Sequence, residues 1–163
     1  MMTFTKFLCF KKDTRNYINT LTVAGCLLLA FCTFKKILIP ATHSVYPLVL
    51  YRTGETATLK DQYVLFALKD SYLPKGEAFL VKRLGCMEGE RISQQGNDTY
   101  CNGKLIARAM THDSKGTPLK KFTFSGVVPT GKAFAVGDTV NSYDSRYWGF
   151  IDISTTERLV PVF

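Results

Sequence analysis

The sequence predicts a mainly β domain built from short strands and turns and preceded by one N-terminal transmembrane helix. Residues 17–34 form an uncharged, mostly apolar run close to the N-terminus. After residue 36, short apolar runs separated by turn residues replace any long helical periodicity. Hydrophobic residues make up 46% of the 163-residue chain, which is enough for a packed core and argues against disorder.

The positive charge of the chain is concentrated around this apolar run. The formal net charge is +8, and residues 1–36 contain six basic side chains and only one acidic one. A nucleic-acid-binding protein usually carries its basic stripe on the folded domain. Basic residues that flank an apolar run instead favour a membrane surface, so we expect membrane lipids and no nucleic acid among the partners.

The charge and length patterns divide the chain into three parts. They are a basic cytoplasmic leader over residues 1–16, a transmembrane anchor over 17–36, and a folded domain over 37–163. An apolar run of this length is close to the shortest that crosses a bilayer. Because basic residues precede the run, we expect the N-terminus in the cytoplasm and the folded domain to be exported.

Two alternatives to a retained anchor stay open. A cleaved signal peptide is disfavoured because Phe34 is followed by two lysines rather than by a small-residue cleavage site. A lipoprotein signal ending at Cys26 is disfavoured because the apolar run continues beyond this cysteine to Phe31.

The five cysteines separate by position. Cys9, Cys26 and Cys32 lie in the leader and the apolar run, where we expect these cysteines to be small, buried or reduced residues. Cys86 and Cys101 lie in the part predicted to be exported, where a disulfide persists. Their spacing fits a bridge between neighbouring strands, but the sequence does not establish it.

The folded part contains a succession of strand and turn signals. Residues 63–68 are predicted to form a strand buried on both faces, and 78–81 a second strand that ends at Lys82. Asn102-Gly103 between apolar residues is typical of a tight hairpin. The remaining signals, in order, are a turn over 94–98, a loop over 114–118, a half-buried strand over 122–124, a strand over 132–136, and a closing strand over 159–163.

Histidine and metal chemistry are both disfavoured. The chain has two histidines and no Cys-x-x-Cys pair, so no metal site is expected. His43 adjoins Ser44, but neighbouring side chains of an extended segment point in opposite directions. His112 lies in a polar loop. No glycine-rich phosphate loop is present, and no cofactor is expected.

A serine–lysine pair is the chemistry that the sequence favours. A lysine can deprotonate a serine if the amine is uncharged, and burial disfavours the ammonium form. Lys82 follows the apolar residues Phe79-Leu80-Val81, which would carry it into the interior. Lowering its pKa to roughly 7–8 would cost about 3–5 kcal/mol. The alternative is that Lys82 lies at the end of a strand and only extends its charged group toward water.

Residues 136–151 contain the densest group of polar side chains near aromatic ones. They include acids, an arginine, several hydroxyls and the only tryptophan, Trp148. Polar groups are costly to order unless they are hydrogen-bonded. We therefore interpret this segment as a scaffold for a reactive site elsewhere, with a solvated turn as the alternative.

Four ordered motifs resemble those of type I signal peptidases. Ser44-Val45-Tyr46-Pro47 resembles their Ser-x-x-Pro nucleophile motif, and residues 80–85 resemble the strand that carries their general-base lysine. Residues 128–138 and 141–149 resemble the segments that follow. The single predicted anchor, the small size and the Thr42-x-Ser44 pattern are closer to the conjugative-transfer, TraF-type branch.

The resemblance implies a fold and a set of roles. It implies antiparallel β-sheets, with Ser44 as nucleophile and Lys82 as general base. It implies that the Ser44 backbone N–H and the Thr42 hydroxyl bind the oxyanion. The implied supporting residues are Ser142, which would hydrogen-bond Lys82, and the ion pair of Asp144 with Arg146.

The resemblance also implies a substrate class. It predicts a serine endopeptidase that is anchored in the bacterial inner membrane, among its lipids, with the catalytic domain (residues 37–163) in the periplasm. The enzyme would cleave exported precursor proteins, with a conjugative pilin precursor as the expected substrate. One alternative is a transpeptidase that joins the new ends into a ring on the same Ser/Lys pair. Another is a non-catalytic assembly protein of a transfer apparatus. A repressor-type autoprotease is disfavoured because an apolar run occupies the place of its DNA-binding domain.

Overall fold

The computed structural model describes residues 4–162, with side chains described from residue 14 onward except Thr33. The chain divides into two compact units, and the boundary falls between Ile37 and Leu38. In the first unit, helix α1 spans Phe4–Phe34. The helix thus begins within the stretch predicted to be a basic leader.

No helix within the described part of the chain is both long and apolar enough to cross a membrane. The anchor predicted over residues 17–36 is therefore not confirmed and stays a prediction.

The second unit is mainly β, as predicted. Its strands are short except for β4, and they alternate with turns. In chain order the strands are β1 (Ile37–Leu38, at the boundary), β2 (Leu50–Arg52), β3 (Tyr63–Lys69), β4 (Glu77–Met87), β5 (Arg91–Gln95), β6 (Asp98–Cys101), β7 (Lys104–Arg108), β8 (Gly126–Val127), β9 (Lys132–Val136), β10 (Ile151–Asp152) and β11 (Glu157–Pro161). A one-turn helix, α2 (Ser145–Trp148), and a 3₁₀ turn (Ile153–Thr155) complete the list.

Within this unit the strands form two antiparallel sheets. The larger sheet contains the order β2–β11–β3–β4–β9–β10, and the smaller has the order β7–β6–β5–β8. Strand β11 pairs with β2 on one side and β3 on the other. The closing strand predicted over 159–163 therefore exists, but it begins at residue 157 and lies inside the sheet rather than at its edge.

Strand β9 separates two hydrophobic clusters of the core, because its side chains alternate between them. Ala133 and Ala135 point into a cluster with Val64, Phe66 and Leu84. The intervening residues of the strand, Phe134 and Val136, point into a second cluster with the disulfide cysteines and several phenylalanines. Successive residues of a strand face opposite sides of the sheet. Strand β9, which pairs with β4, is therefore buried on both faces.

Two strand predictions need correction. Residues 63–69 form β3, but burial alternates along it, so one face is more exposed than a doubly buried strand would be. Residues 122–124 are not a strand. Gln94 holds this segment instead, donating to the Phe122 carbonyl at 3.1 Å and accepting from the Phe124 N–H at 3.1 Å. The alternating aromatics reflect packing into the second cluster, not pairing in a sheet.

The turn predictions agree better with the structure. Strands β5 and β6 are separated by residues 96–97, inside the predicted turn. Asn102 and Gly103 connect β6 to β7 with φ values of 49° and 80°. Two central residues with positive φ are the signature of the tight hairpin turn that Asn-Gly favours.

A disulfide connects the two sheets. Cys86 in β4 and Cys101 in β6 are bonded, and both are almost fully buried. Because they are separated by 15 positions, the bond restricts the unfolded chain over a moderate loop.

We expect Cys86→Ala/Cys101→Ala to lower the free energy of unfolding by about 3 kcal/mol. The measurement is urea unfolding followed by the fluorescence of Trp148. Reduced wild-type protein is the control, because it loses the cross-link but keeps both sulfur atoms in the core. If oxidised wild type and the variant unfold at the same urea concentration, the bond does not stabilise the fold.

Candidate active site

Lys82 lies in the middle of β4, on the face that contributes to the core cluster of Ala133 and Ala135. It pairs with Val64 across the β3–β4 ladder, and its neighbours on the same face are Leu80 and Leu84. Opposite residues of an antiparallel pair share a face of the sheet. The ammonium group is therefore carried into apolar surroundings, and Lys82 is only 3% exposed.

Ser44 lies in the irregular segment between β1 and β2, and two contacts with Asp138 hold this segment. The Asp138 N–H donates to the Ser44 carbonyl at 2.8 Å. The Asp138 carboxylate accepts from the Tyr46 N–H at 3.0 Å. Asp138, which lies in the polar segment of residues 136–151, thus binds the backbone at Ser44 and at Tyr46.

Asp138 is itself fixed by two further partners. Its carboxylate accepts from the Tyr63 hydroxyl at 2.8 Å and from Arg83 Nε at 2.9 Å. Burial, followed by the hydrogen bond to Asp138, raises the pKa of Tyr63. Because Arg83 follows Lys82 and Tyr63 begins β3, Asp138 ties the segment of Ser44 to the strands on which Lys82 is carried.

The result is a close approach of the two predicted catalytic side chains. Lys82 Nζ lies 2.9 Å from Ser44 Oγ. The Thr42 hydroxyl donates to Ser44 Oγ at 3.3 Å, so Thr42 lies at the same place. They border an open pocket of about 430 Å³, which we call the dyad pocket. It is lined by Thr42, His43, Ser44, Leu73, Leu80, Lys82, Thr139, Asn141, Ser142 and Tyr143.

The surroundings of Lys82 favour its uncharged form. Burial lowers the pKa of Lys82 to about 8, and this effect outweighs the opposing attraction of Asp144. Arg146 lowers the pKa further, while Asp138 raises it slightly. At pH values near 8, a substantial fraction of the amine is therefore free to accept a proton.

The scaffold around the pocket is a buried ion pair. Asp144 and Arg146 are 0% and 1% exposed, with 2.6 Å between Asp144 Oδ2 and Arg146 Nη2. A second contact joins Arg146 Nε to Asp144 Oδ1 at 2.7 Å, so the pair is bidentate. The remaining donors of Arg146 bind the main-chain carbonyls of Arg108, Thr139, Val140 and Ser142.

Asp144 also shapes the backbone on either side of itself. It caps α2 by accepting from the Arg146 N–H at 3.1 Å. Its other oxygen accepts from the Gly137 N–H at 2.7 Å. One carboxylate thus joins Gly137 to Arg146 within the polar segment of residues 136–151.

Gly137 leaves no room for a side chain. A Cβ atom there would lie 2.0 Å from Ser142 Oγ and 2.7 Å from the carbonyl oxygen of Ser44. Both distances are well below any real Cβ contact. The glycine therefore permits the close approach of the Ser44 segment to Ser142.

Ser142 departs from its implied role. It is buried and lines the dyad pocket, but its hydroxyl has no hydrogen-bond partner within the described part of the chain. The expected hydrogen bond to Lys82 is therefore not formed. The physical reason is the packing of this side chain against Gly137, while Lys82 is directed at Ser44.

Three residues of the site were not assigned a role from the sequence. They are Asp138, Tyr63 and Arg83. The signal for Asp138 was present in the Gly137-Asp138 pair of the third motif, and Arg83 follows the lysine directly. No local pattern marks Tyr63, because its contact depends on the register between β3 and β4.

Potential metal ligands come together at one place in the described part of the chain. The one group of three close ligand side chains there is Cys86, Glu90 and Cys101. The two sulfur atoms there are bonded to each other.

The chain belongs to the signal peptidase family, peptidase S26, whose family model matches residues 15–158. Signal peptidase I V of Bacillus subtilis (strain 168) is 36% identical over 81 residues, which are 43% of this chain and 48% of that protein. A probable conjugal transfer protein TraF of Sinorhizobium fredii (strain NBRC 101917 / NGR234) is 29% identical over 108 residues, which are 65% of this chain and 56% of that protein. The chain thus spans about half the length of these curated relatives.

A solved structure is also similar. A signal peptidase I from Enterococcus faecalis V583 has 23% sequence identity and a TM-score of 0.42, and the match covers 64% of this chain and 97% of that one.

We expect Arg146→Met to lower the free energy of unfolding by about 3–5 kcal/mol, because it leaves a buried carboxylate and several carbonyls without their partner. Arg146→Lys should lie between wild type and Arg146→Met, since it keeps the charge but loses the planar fork. Urea unfolding measures both.

The matched control is Arg158→Met. Arg158 also pairs with an acid, Glu55, but both side chains are substantially exposed. An exposed pair contributes about 1 kcal/mol or less. If Arg146→Met cost no more than Arg158→Met, the buried pair would not hold the site together.

Proposed function

We propose that this protein is a serine endopeptidase that cleaves exported precursor proteins through an acyl-enzyme, with Ser44 as nucleophile and Lys82 as general base. The observation that carries the proposal is the 2.9 Å separation of Ser44 Oγ and Lys82 Nζ in a pocket where the lysine is buried. Family membership supports the same chemistry.

The mechanism follows from the two side chains. Neutral Lys82 accepts the hydroxyl proton as Ser44 Oγ attacks the carbonyl carbon of the peptide bond. The Thr42 hydroxyl and the Ser44 N–H stabilise the oxyanion that forms. Protonated Lys82 then gives its proton to the leaving amine, which leaves an ester on Ser44. Water attacks the ester with Lys82 again as base, and the serine is released.

The supporting residues have a positioning role in this proposal. Asp138 holds the backbone on both sides of the nucleophile, and the Asp144–Arg146 pair holds the segment that closes the pocket. A misplacement of about 1 Å between reacting groups costs on the order of a hundredfold in rate.

We infer that the substrate belongs to a conjugative transfer system. The similarity to a probable conjugal transfer protein covers 65% of this chain, which supports this substrate more than a general secretory one. A pilin precursor is the substrate we propose, and attachment to the inner membrane with a periplasmic active site remains part of the proposal.

Co-expression with candidate precursors tests the substrate and the reaction together. Mass spectrometry should show a shortened precursor when the protein is present. A ring-closed product would be lighter than the hydrolysed one by one water, which identifies transpeptidation on the same pair. An unprocessed set of conjugative precursors would exclude the conjugative substrate.

We expect Ser44→Ala and Lys82→Met each to abolish cleavage while the protein remains folded. The first removes the nucleophile, and the second removes the base but preserves most of the side-chain volume. Matched controls are Ser154→Ala and Lys104→Met, which change an exposed serine and an exposed lysine away from the pocket. Cleavage retained in Ser44→Ala would favour a non-catalytic assembly role or a different nucleophile.

The pH dependence should report the titration of Lys82. Because its pKa is lowered to about 8, kcat/KM should level off above about pH 8 and fall about tenfold per pH unit below it. Initial rates on one precursor between about pH 5 and pH 10 measure this. A rate that stays constant down to about pH 5 would exclude Lys82 as the base.

A further inference from the structure

A second pocket lies directly beside the dyad pocket. It has a volume of about 170 Å³ and shares the wall formed by Asn141, Ser142 and Tyr143. We call it the tyrosine pocket, because its other lining residues are Tyr72, Met110, His112, Asp113, Ser114, Leu119 and Tyr147. The tyrosine pocket has no part in the cleavage mechanism proposed above.

Three stacked tyrosines form one side of this pocket. The ring of Tyr143 lies between Tyr72 and Tyr147, with centroid distances of 4.4 Å and 5.4 Å. The Tyr72 hydroxyl donates to Asp113 at 2.7 Å, and the Tyr143 hydroxyl donates to Asp70 at 3.1 Å. Both phenols have therefore used their hydrogen, and their oxygen atoms retain lone pairs for an incoming donor.

The lining of the tyrosine pocket carries negative charge only. With neutral histidine, Asp113 is the only residue of the lining that carries a formal charge. The Tyr72 hydroxyl and nearby backbone N–H groups hold the pKa of Asp113 at about 2, so it is anionic under all ordinary conditions. One of its oxygens accepts from the Lys115 and Thr117 N–H groups, while the other has Tyr72 as its single partner within the described residues.

An unpartnered polar group lies in the shared wall. Ser142 is 3% exposed, lines both pockets, and its hydroxyl has no hydrogen-bond partner within the described chain. A buried hydroxyl without a partner costs free energy, which a ligand can recover. The tyrosine pocket thus combines aromatic walls, a surplus of acceptors and a fixed negative charge, which together suit an N–H-rich cation.

We propose that the tyrosine pocket binds the side chain of a lysine or arginine of the substrate polypeptide, close to the bond that is cut. The cation would donate to the free position on Asp113 and to the phenol oxygens, and its alkyl stem would pack on Met110 and Leu119. The assignment to a substrate rests on the proposed endopeptidase function, whereas the binding of a cation does not.

Binding is tested first, and without catalysis. Amide NMR shifts of the full-length Ser44→Ala protein are recorded with n-butylammonium and with n-butanol, which has a similar chain but no charge. We expect butylammonium to shift the amides of Met110 and Tyr143, and butanol to bind about tenfold more weakly. Asp113→Asn should remove the difference, while Asp152→Asn, an exposed acid outside this lining, should leave it unchanged.

Kinetics then locate the side chain in the substrate. Lysine and norleucine are exchanged, one position at a time, on both sides of the cut in a cleaved precursor. At one position, lysine should raise kcat/KM about tenfold over norleucine, and Asp113→Asn should abolish this preference.

The outcomes separate the two hypotheses. Equal binding of butylammonium and butanol, or a preference that survives in Asp113→Asn, overturns the cation pocket. Butylammonium binding in a protein that cleaves no precursor supports the pocket but contradicts the endopeptidase. Cleavage without a lysine preference at any position shows that the pocket does not act on the substrate.

Discussion

The site depends on the buried pair of Asp144 and Arg146. Ser44 and Lys82 are 38 positions apart, and their segments meet at the contact of these two side chains and in the hydrophobic cluster that contains Val45 and Val81. The polar segment from Gly137 to Arg146 connects them. That segment is mostly irregular, so the fork of Arg146 and the carboxylate of Asp144 replace the hydrogen bonds that a sheet would have supplied. Two charges can be buried here because each is almost completely hydrogen-bonded.

Lys82 differs from this ion pair, because its surroundings compensate only in part for the burial of its charged form. The folded pKa of about 8 is below the ordinary value of 10.5, which corresponds to a cost of about 3 kcal/mol when the amine is protonated. Between these two pH values the unfolded chain holds the proton more strongly than the folded one, so the stability contributed by this group rises with pH. Below about pH 8 the full cost is present. The packing of β3, β4 and β9 around the lysine must offset it.

The sequence predicted which side chains meet in the pocket better than the contacts that position them. The apolar residues before Lys82 predicted a strand that buries the amine, and the hydroxyls and charges of residues 136–151 predicted a scaffold. Both are local patterns. The role of Asp138 was missed because its partners, Tyr63 and the backbone at Ser44, are distant in sequence and come together only through strand register and loop closure. The alternating phenylalanines at 122–124 had the period of a strand, but the side chain of Gln94 occupies the backbone groups that pairing would have used.

The position of β11 has a consequence for how the sheet is assembled. Strand β2 follows the segment that contains Ser44, and β3 is the neighbour of the strand that carries Lys82, yet these two strands do not pair with each other. Residues 157–161 must be inserted between them before the sheet is continuous. Ribosomal synthesis delivers β2, β3 and β4 before these residues. A nascent chain that ends before residue 157 therefore lacks the strand that joins β2 to β3, and the larger sheet is completed only after β11 has emerged.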